Sequence, residues 1–403
     1  MFAAGLFDRA PEKIAPDLPA HQALALRAAR ESIVLLKNET NRLPLDANKL
    51  HSIAVIGPNA DPARIGISGA SRASAYRTVS PLAAIRAAVG DRIRIIYAKG
   101  TNTTDEGFLI STETVVTPDG QPGFQIEYFN NRDLSGSPVA TERIPEVCFN
   151  WKWDSPHPAV TAGEFSARVR GRFIPPHSGR YAFSLRHGKH PVRFTFGDRT
   201  SAMINRGDPW ITGWGSGVSD LALEAGKPVP LEIEMKASSY EGHNALELAW
   251  KYIEPDPLPQ AVKAAREADV ALVFAGFNDS IEGEEHDRTT DLPKEQEELI
   301  NAVCAVNKNV VVILNAGSAV VMDKWEPQVP VIVHAFYPGQ EGGTAIANIL
   351  FGKVNPSGRL PCTIMRRWED SPAYGSYPQG SDELVHLKDS LNWSPRSGRP
   401  AHL

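Results

Sequence analysis

Cysteine is scarce in this chain. Among 403 residues only Cys148, Cys304 and Cys362 occur, far apart in sequence. That is neither a disulfide framework nor a metal-ligand spacing, so each reads as a small core or surface residue. No apolar stretch is long enough to span a bilayer. There is no basic run, and a net charge of −5 with a pI near 6.1 argues against a nucleic-acid surface. No histidine pair has zinc spacing, and His286 stands alone in an acidic segment. The G-x-S-x-G elbow of serine hydrolases is absent, although composition leaves a Ser–His–Asp arrangement open. GISGAS (66–71) and YPGQEGG (337–343) are glycine-rich, yet neither has P-loop spacing or a complete G-x-G-x-x-G between strand and helix. Glycine there reads as letting the backbone turn tightly at strand ends. The opening MFAAGLFDRAPEK lacks the basic start and long apolar core of a signal peptide. The location is left open by the sequence: cytoplasmic, or periplasmic if a longer parent is exported. Neither a cofactor nor a metal is expected.

What is present describes an ordinary globular protein. A 42% hydrophobic and 22% charged composition supplies ample core for two or three domains. The chain divides into an α/β part, an all-β insert and a return to the α/β part. Residues 19–39 carry helical apolar spacing through Leu24, Leu26, Ala29 and Ile33, then the run IVLL. SIAVIGPNAD reads as a buried parallel strand entering a loop. Ser80–Pro81 opens a helix, and Arg92–Ala98 is a second strand. Between 123 and 253 the pattern switches to period two in FSARVRGRF, YAFSLRH, VRFTF, PLEIEMK and LELAWKY. Most of the tryptophans fall there, and short alternating strands with regular turns predict a β-sandwich. EPDPLPQ (254–260) is a stiff return linker. DVALVFAG, NVVVILNAG and PVIVHAFYPG are further buried strands, with helices expected over 260–268, 293–306 and 343–350. The expected fold is a doubly wound, mostly parallel α/β sandwich interrupted by an all-β sandwich. The expected units are 1–18 (linker), 19–122 and 254–365 (α/β), 123–253 (β) and 366–403 (tail).

The segment FAGFNDSIEGEEHDRTTD (274–291) is the strongest chemical signal. Glu282, Glu284 and Glu285 follow a buried strand, and Asp287–Arg288 come next. Carboxylates on a loop at the C-terminal end of a parallel strand are where open α/β sheets place their chemistry. Like-charged neighbours raise a carboxyl pKa and suit it to general acid work. The plainer alternative is a solvated acidic loop.

These residues resemble the C-terminal part of the family 3 glycoside hydrolases, the β-glucosidase and β-xylosidase family. AARESIVLLKNE…LPL, IAVIGPNAD, RIGISGAS…VSPLAAI and EGEEHDRTTDLPKEQEELI carry the resemblance. VVVILNAGSAVVMDKW and AFYPGQEGGTAIANILFGKVNPSGRLP carry it furthest. IEYFNN, FSARVRGRFIPPHSGRYAF and LELAW resemble a PA-fourteen-type β-sandwich, which some β-glucosidases of the family carry at this point. Family members begin with a (β/α)₈-type barrel that holds the nucleophilic aspartate. Only GLFDR (5–9) resembles the tail of that barrel. At the other end NWSPRSGRPAHL does not continue the family pattern, and the fibronectin-like third domain is not matched. The resemblance thus implies a piece of such an enzyme, through a split gene, a frameshift or excision.

The resemblance implies a retaining hydrolase of terminal β-linked sugars, inactive without a barrel. Glu284 stands three residues before Asp287 and is the implied acid/base, with Glu282 as the runner-up. Asp287 and Arg288 are expected to pair and pin the loop. Ser68 and Ser71, in the Gly/Ser loop, and Trp210 and Trp214, in PWITGWGSG, are candidate sugar contacts. The tryptophans equally suit a sandwich core. Some PA-fourteen-type domains bind calcium through paired aspartates; the turn RHGKH has none. The expected partners are a carbohydrate and a separate barrel subunit or a second copy, without nucleic acid or membrane. A non-catalytic carbohydrate-binding module and a degenerate fragment are the alternatives.

Overall fold

A computed structural model describes residues 17–66, 75–102, 108–151, 155–187, 190–200, 216–237, 244–278, 281–283, 288–371 and 374. Helix α1 (Leu18–Ser32) leads into strand β1 (Val34–Asn38) and then β2 (Ser52–Ile56). Asp17 caps α1, its side chain accepting from the Ala20 N–H at 3.1 Å. Helix α2 (Pro81–Val89) starts where Ser80 Oγ accepts from the Ala83 N–H and proline fills the first turn. Strand β3 (Arg94–Ala98) follows.

The chain then enters a sandwich. Its strands are β4 (Phe108–Leu109), β5 (Val115–Val116), β6 (Phe124–Phe129), β7 (Ala140–Ile144), β8 (Cys148–Asn150) and β9 (Ser166–Phe173). They continue as β10 (Gly179–His187), β11 (Val192–Phe196), β12 (Arg199–Thr200), β13 (Ser216–Leu223), β14 (Val229–Lys236) and β15 (Ala245–Ile253). One sheet runs β13-β10-β15-β4 with β8 on β15; the other runs β12-β11-β14-β9-β6-β7 with β5 on β9. Alternate residues of β6, β9, β11 and β14 enter one core, where Phe124, Phe173, Tyr181, Phe194 and Phe196 are fully buried. Phe173 meets Phe183 edge to face at 5.0 Å. The sandwich recruits β4 and β5, upstream of residue 123, and buries Ile110 and Val115 in that core.

The return begins with helix α3 (Pro257–Glu267) and strand β16 (Val270–Gly276). Helix α4 (Lys294–Val306), strand β17 (Val310–Asn315), strand β18 (Val331–His334) and helix α5 (Gly342–Leu350) complete the unit. The entering and leaving chains are laced together. Asn102 Nδ2 donates to the Glu254 carbonyl at 2.9 Å, and the Glu254 N–H donates back to Asn102 Oδ1 at 3.2 Å.

The α/β sheet has the order β1-β18-β17-β16-β2-β3. All neighbours are parallel except β1, which runs antiparallel to β18 at one edge. Ile53 and Val55 face a core with α1, α2 and α5, while Ala54 and Ile56 face one with α3 and α4. Both faces are covered, which is why the strands read as unbroken apolar runs. The sheet is doubly wound. The chain steps outward from β2 to β3, crosses through the sandwich and α3, and returns on the other side of β2 at β16. The order reverses between β2 and β16, and the crevice at their carboxyl ends is where such sheets bind ligands.

Two differences from the sequence reading are instructive. Helical spacing from Leu24 to Ile33 stops at Ser32, because Ile33 is extended (φ −67, ψ 133) and the next residues pair with β18. Leu24, counted on the apolar face, is 61% exposed.

Candidate active site

Two glycines shape the carboxyl edge of the sheet. Gly57, just after β2, and Gly276, the last residue of β16, have φ of 110° and 132°. A Cβ on Gly57 would lie 2.0 Å from the Phe274 carbonyl oxygen, and one on Gly276 would lie 1.9 Å from that of Asn315. Only glycine lets each chain turn away while its backbone touches the next strand. The backbone groups of Gly276 are satisfied by Gln296 of α4, whose Oε1 accepts from the Gly276 N–H at 2.7 Å and whose Nε2 donates to its carbonyl at 2.9 Å. Asn59, beyond β2, donates from Nδ2 to the Phe277 carbonyl at 3.3 Å and joins the loops on either side of the switch point.

The loop after β16 carries the acidic segment. The Glu282 N–H donates to the Asn278 carbonyl at 2.9 Å. Glu282 Oε1 then accepts from Arg288 Nε at 2.7 Å, with the two side chains only 11% and 7% exposed. Glu282 Oε2 accepts from the Gly317 N–H at 2.8 Å, beyond β17, and from the Tyr337 hydroxyl at 2.7 Å, beyond β18. Arg288 reaches Ser318 Oγ at 2.8 Å and the Ala319 carbonyl at 3.3 Å through Nη2, and the Thr289 carbonyl at 2.9 Å through Nη1. Its guanidinium carbon stands 4.0 Å over the centre of the Phe277 ring. Further along, the Val321 N–H donates to the Thr290 carbonyl, and Lys324 Nζ pairs with Asp291 at 2.7 Å.

His334 closes the strand β18 beneath this cluster. Its Nδ1 accepts from the Phe336 N–H at 3.2 Å, which leaves the ring proton on Nε2 when the imidazole is neutral. Burial pushes its pKa from 6.5 down to about 4, against the opposing pull of the Ser318 backbone and the Glu282 charge. The Phe336 ring lies 4.1 Å from that of His334, tilted by 35°, and Phe336 takes a left-handed φ of 52°, with its carbonyl accepting from Asn315 Nδ2 at 2.9 Å. Such backbone strain concentrates at functional sites.

The structure therefore brings Glu282 and Arg288 together at the switch point. Glu284, Asp287, Ser68, Ser71, Trp210 and Trp214 lie outside the described residues. Arg288 was expected to pin the loop with Asp287; its described carboxylate partner is Glu282. Gly317, Tyr337 and His334 were not singled out from sequence. Each stands at, or within three residues of, the end of a strand that was, and that position was the available signal.

A family model for the glycosyl hydrolase family 3 C-terminal domain matches residues 33–392. The chain belongs to this family. Among curated relatives of this family 3 chain, a β-glucosidase of Rhizobium radiobacter is 34% identical, over 96% of this chain and 48% of the relative. Beta-glucosidase B of Emericella nidulans is 33% identical, over 94% of this chain and 46% of the relative. The family 3 chain thus spans about half the length of the curated relatives it matches. A crystal structure of a β-glucosidase from Kluyveromyces marxianus, in complex with glucose, superposes with a TM-score of 0.75 at 25% identity. That match covers 92% of this chain and 46% of the other.

Proposed function

We propose that this chain supplies the acid/base carboxyl of a retaining β-glucosidase, with Glu284 as the residue that protonates the leaving group. The observation that supports it most is the position of the acidic loop. It leaves the end of β16 at the topological switch point of a family 3 sheet, where the Glu282–Arg288 pair ties its two ends. Glu284 lies between those ends in sequence, three residues before Asp287. Glu282 is the runner-up by sequence, but three donors already converge on its carboxylate. A proton donor needs one oxygen free to face the substrate, which favours Glu284.

A retaining glycosidase holds two carboxyl groups about 5 Å apart across the scissile bond, one as nucleophile and one as acid then base. The family's nucleophile belongs to its barrel. Hydrolysis by this chain therefore requires a barrel, in cis or as a separate subunit. The substrate class is a terminal β-glucoside, in keeping with the β-glucosidase relatives. Ser68 and Ser71 are proposed to approach that sugar from the loop after β2, and Trp210 and Trp214 from a PA-fourteen-type sandwich. The test is reconstitution. The purified 403-residue chain alone is expected to leave aryl β-glucosides intact, and hydrolysis is expected when a family 3 barrel domain is joined or added. Robust turnover by the chain alone would defeat the proposal.

A further inference from the structure

We infer that Glu282 and Arg288 form a positioning clamp, which joins residues 282 and 288 to each other and to the loops beyond β17 and β18. This rests on the reading of Glu284 as the acid/base and says how that residue is held.

Glu282 is poorly suited to touch a substrate. One oxygen accepts from a guanidinium, and the other accepts from a backbone amide and a phenol. Each donor comes from a different segment: 288, 317 and 337. The carboxylate is the common point of three loops that leave neighbouring parallel strands. Arg288 is equally committed. Its fork spreads to Glu282, Ser318, Ala319 and Thr289, while its face rests on Phe277. A lysine cannot reproduce a planar fork with a stacked face. The side chains of residues 282 and 288 thus meet at 2.7 Å in a site almost closed to solvent, and the segment between them has fixed ends. Fixed ends lower the number of conformations open to a short segment, and a misplacement of about 1 Å in a reacting group can cost about a hundredfold in rate. Glu282 is therefore a positioning residue, acting through Arg288.

Trypsin reads the clamp directly, because Arg288–Thr289 is a cleavage site whose arginine side chain is 7% exposed. In the folded 403-residue chain this bond is expected to resist trypsin. The near-isosteric E282Q removes the charge while keeping the volume. It is expected to raise cleavage at 288–289 by about tenfold or more, through local opening, with other sites unchanged and E282D intermediate. R288K keeps a trypsin site and the charge but loses the fork, and the same bond is expected to open in it. It serves as the second variant if E282Q does not fold. Resistance at 288–289 in a folded variant of either kind overturns the clamp. In the barrel-joined enzyme, E282Q is expected to lower kcat for poor leaving groups by about tenfold or more, with KM little changed. An open 288–289 bond with unchanged kcat overturns the link to catalysis. The same assay on E284Q keeps the two ideas apart. If E284Q shows no loss that depends on the leaving group, the acid/base reading fails, while trypsin still decides the clamp.

Discussion

The molecule carries its arginine–glutamate pairs in two contrasting ways. On one face of the sandwich, Arg193, Glu234, Arg168 and Glu127 stand side by side across β11, β14, β9 and β6. Glu232 and Arg170 form the next rung, at 2.8 Å, and Arg170 also reaches Glu127 at 3.1 Å. Most members have two partners, and Arg170 and Glu232 are 37% and 33% exposed. At the carboxyl edge of the α/β sheet, Glu282–Arg288 is the one ion pair among the described residues in which both side chains are nearly closed to solvent. Glu234 at the centre of the ladder is buried, but its outer rung tolerates the loss of a member, because the remaining charges re-pair or meet water. A buried pair has no substitute, because removing one side leaves an uncompensated charge in a dry site. Similar chemistry thus stiffens a sheet in one place and fixes a loop in the other.

The largest stability loss is expected from Gly276→Ala, at the same edge as the buried pair. A positive φ and a Cβ at 1.9 Å from a backbone oxygen should together cost about 4 kcal/mol, read by denaturant unfolding. A cost under about 1 kcal/mol would mean that the edge relaxes freely. Next comes Glu282→Ala, which strands Arg288 and should cost about 3 kcal/mol. The ladder supplies the smallest effect: Glu232→Ala should cost about 1 kcal/mol or less, because Arg170 keeps Glu127. Equal costs for the two glutamates would erase the distinction between buried pair and ladder.

Between these lies a pH effect. His334 titrates near 6.5 when unfolded and near 4 when folded. The unfolded chain then binds the extra proton between those values, so stability falls as pH drops from about 6.5 toward 4. The loss should reach about 3 kcal/mol by pH 4. His334→Gln should flatten that slope in pH-dependent thermal unfolding. An unchanged slope would assign it to other groups.

Much of the fold was legible in sequence because burial on both faces leaves a plain mark. SIAVI, VALVFAG, VVVILN and VIVH are continuous apolar runs, and all are buried strands. Ser80–Pro81 marked a helix start that the Ser80 cap realises. Other features left no such mark. β1 continues an apparently helical stretch, and only its pairing with β18 makes it a strand. β4 and β5 have two residues each, too short for a period to show. At the site, the acidic loop and its place after β16 could be read, since both follow from local pattern. The division of labour among its glutamates could not. Glu282 and Arg288 are six residues apart, a spacing that belongs to neither helix nor strand, and their shared partners come from residues 317 and 337.

The most direct test is the leaving-group dependence of Glu284→Gln in the barrel-joined enzyme. If Glu284 protonates the departing oxygen, substrates with poor leaving groups should lose about a hundredfold or more in kcat. Activated aryl glucosides should lose far less, and azide should restore part of their turnover as a glycosyl azide product. Equal, small losses for both substrate classes, or this pattern in Glu282→Gln instead, would contradict the account.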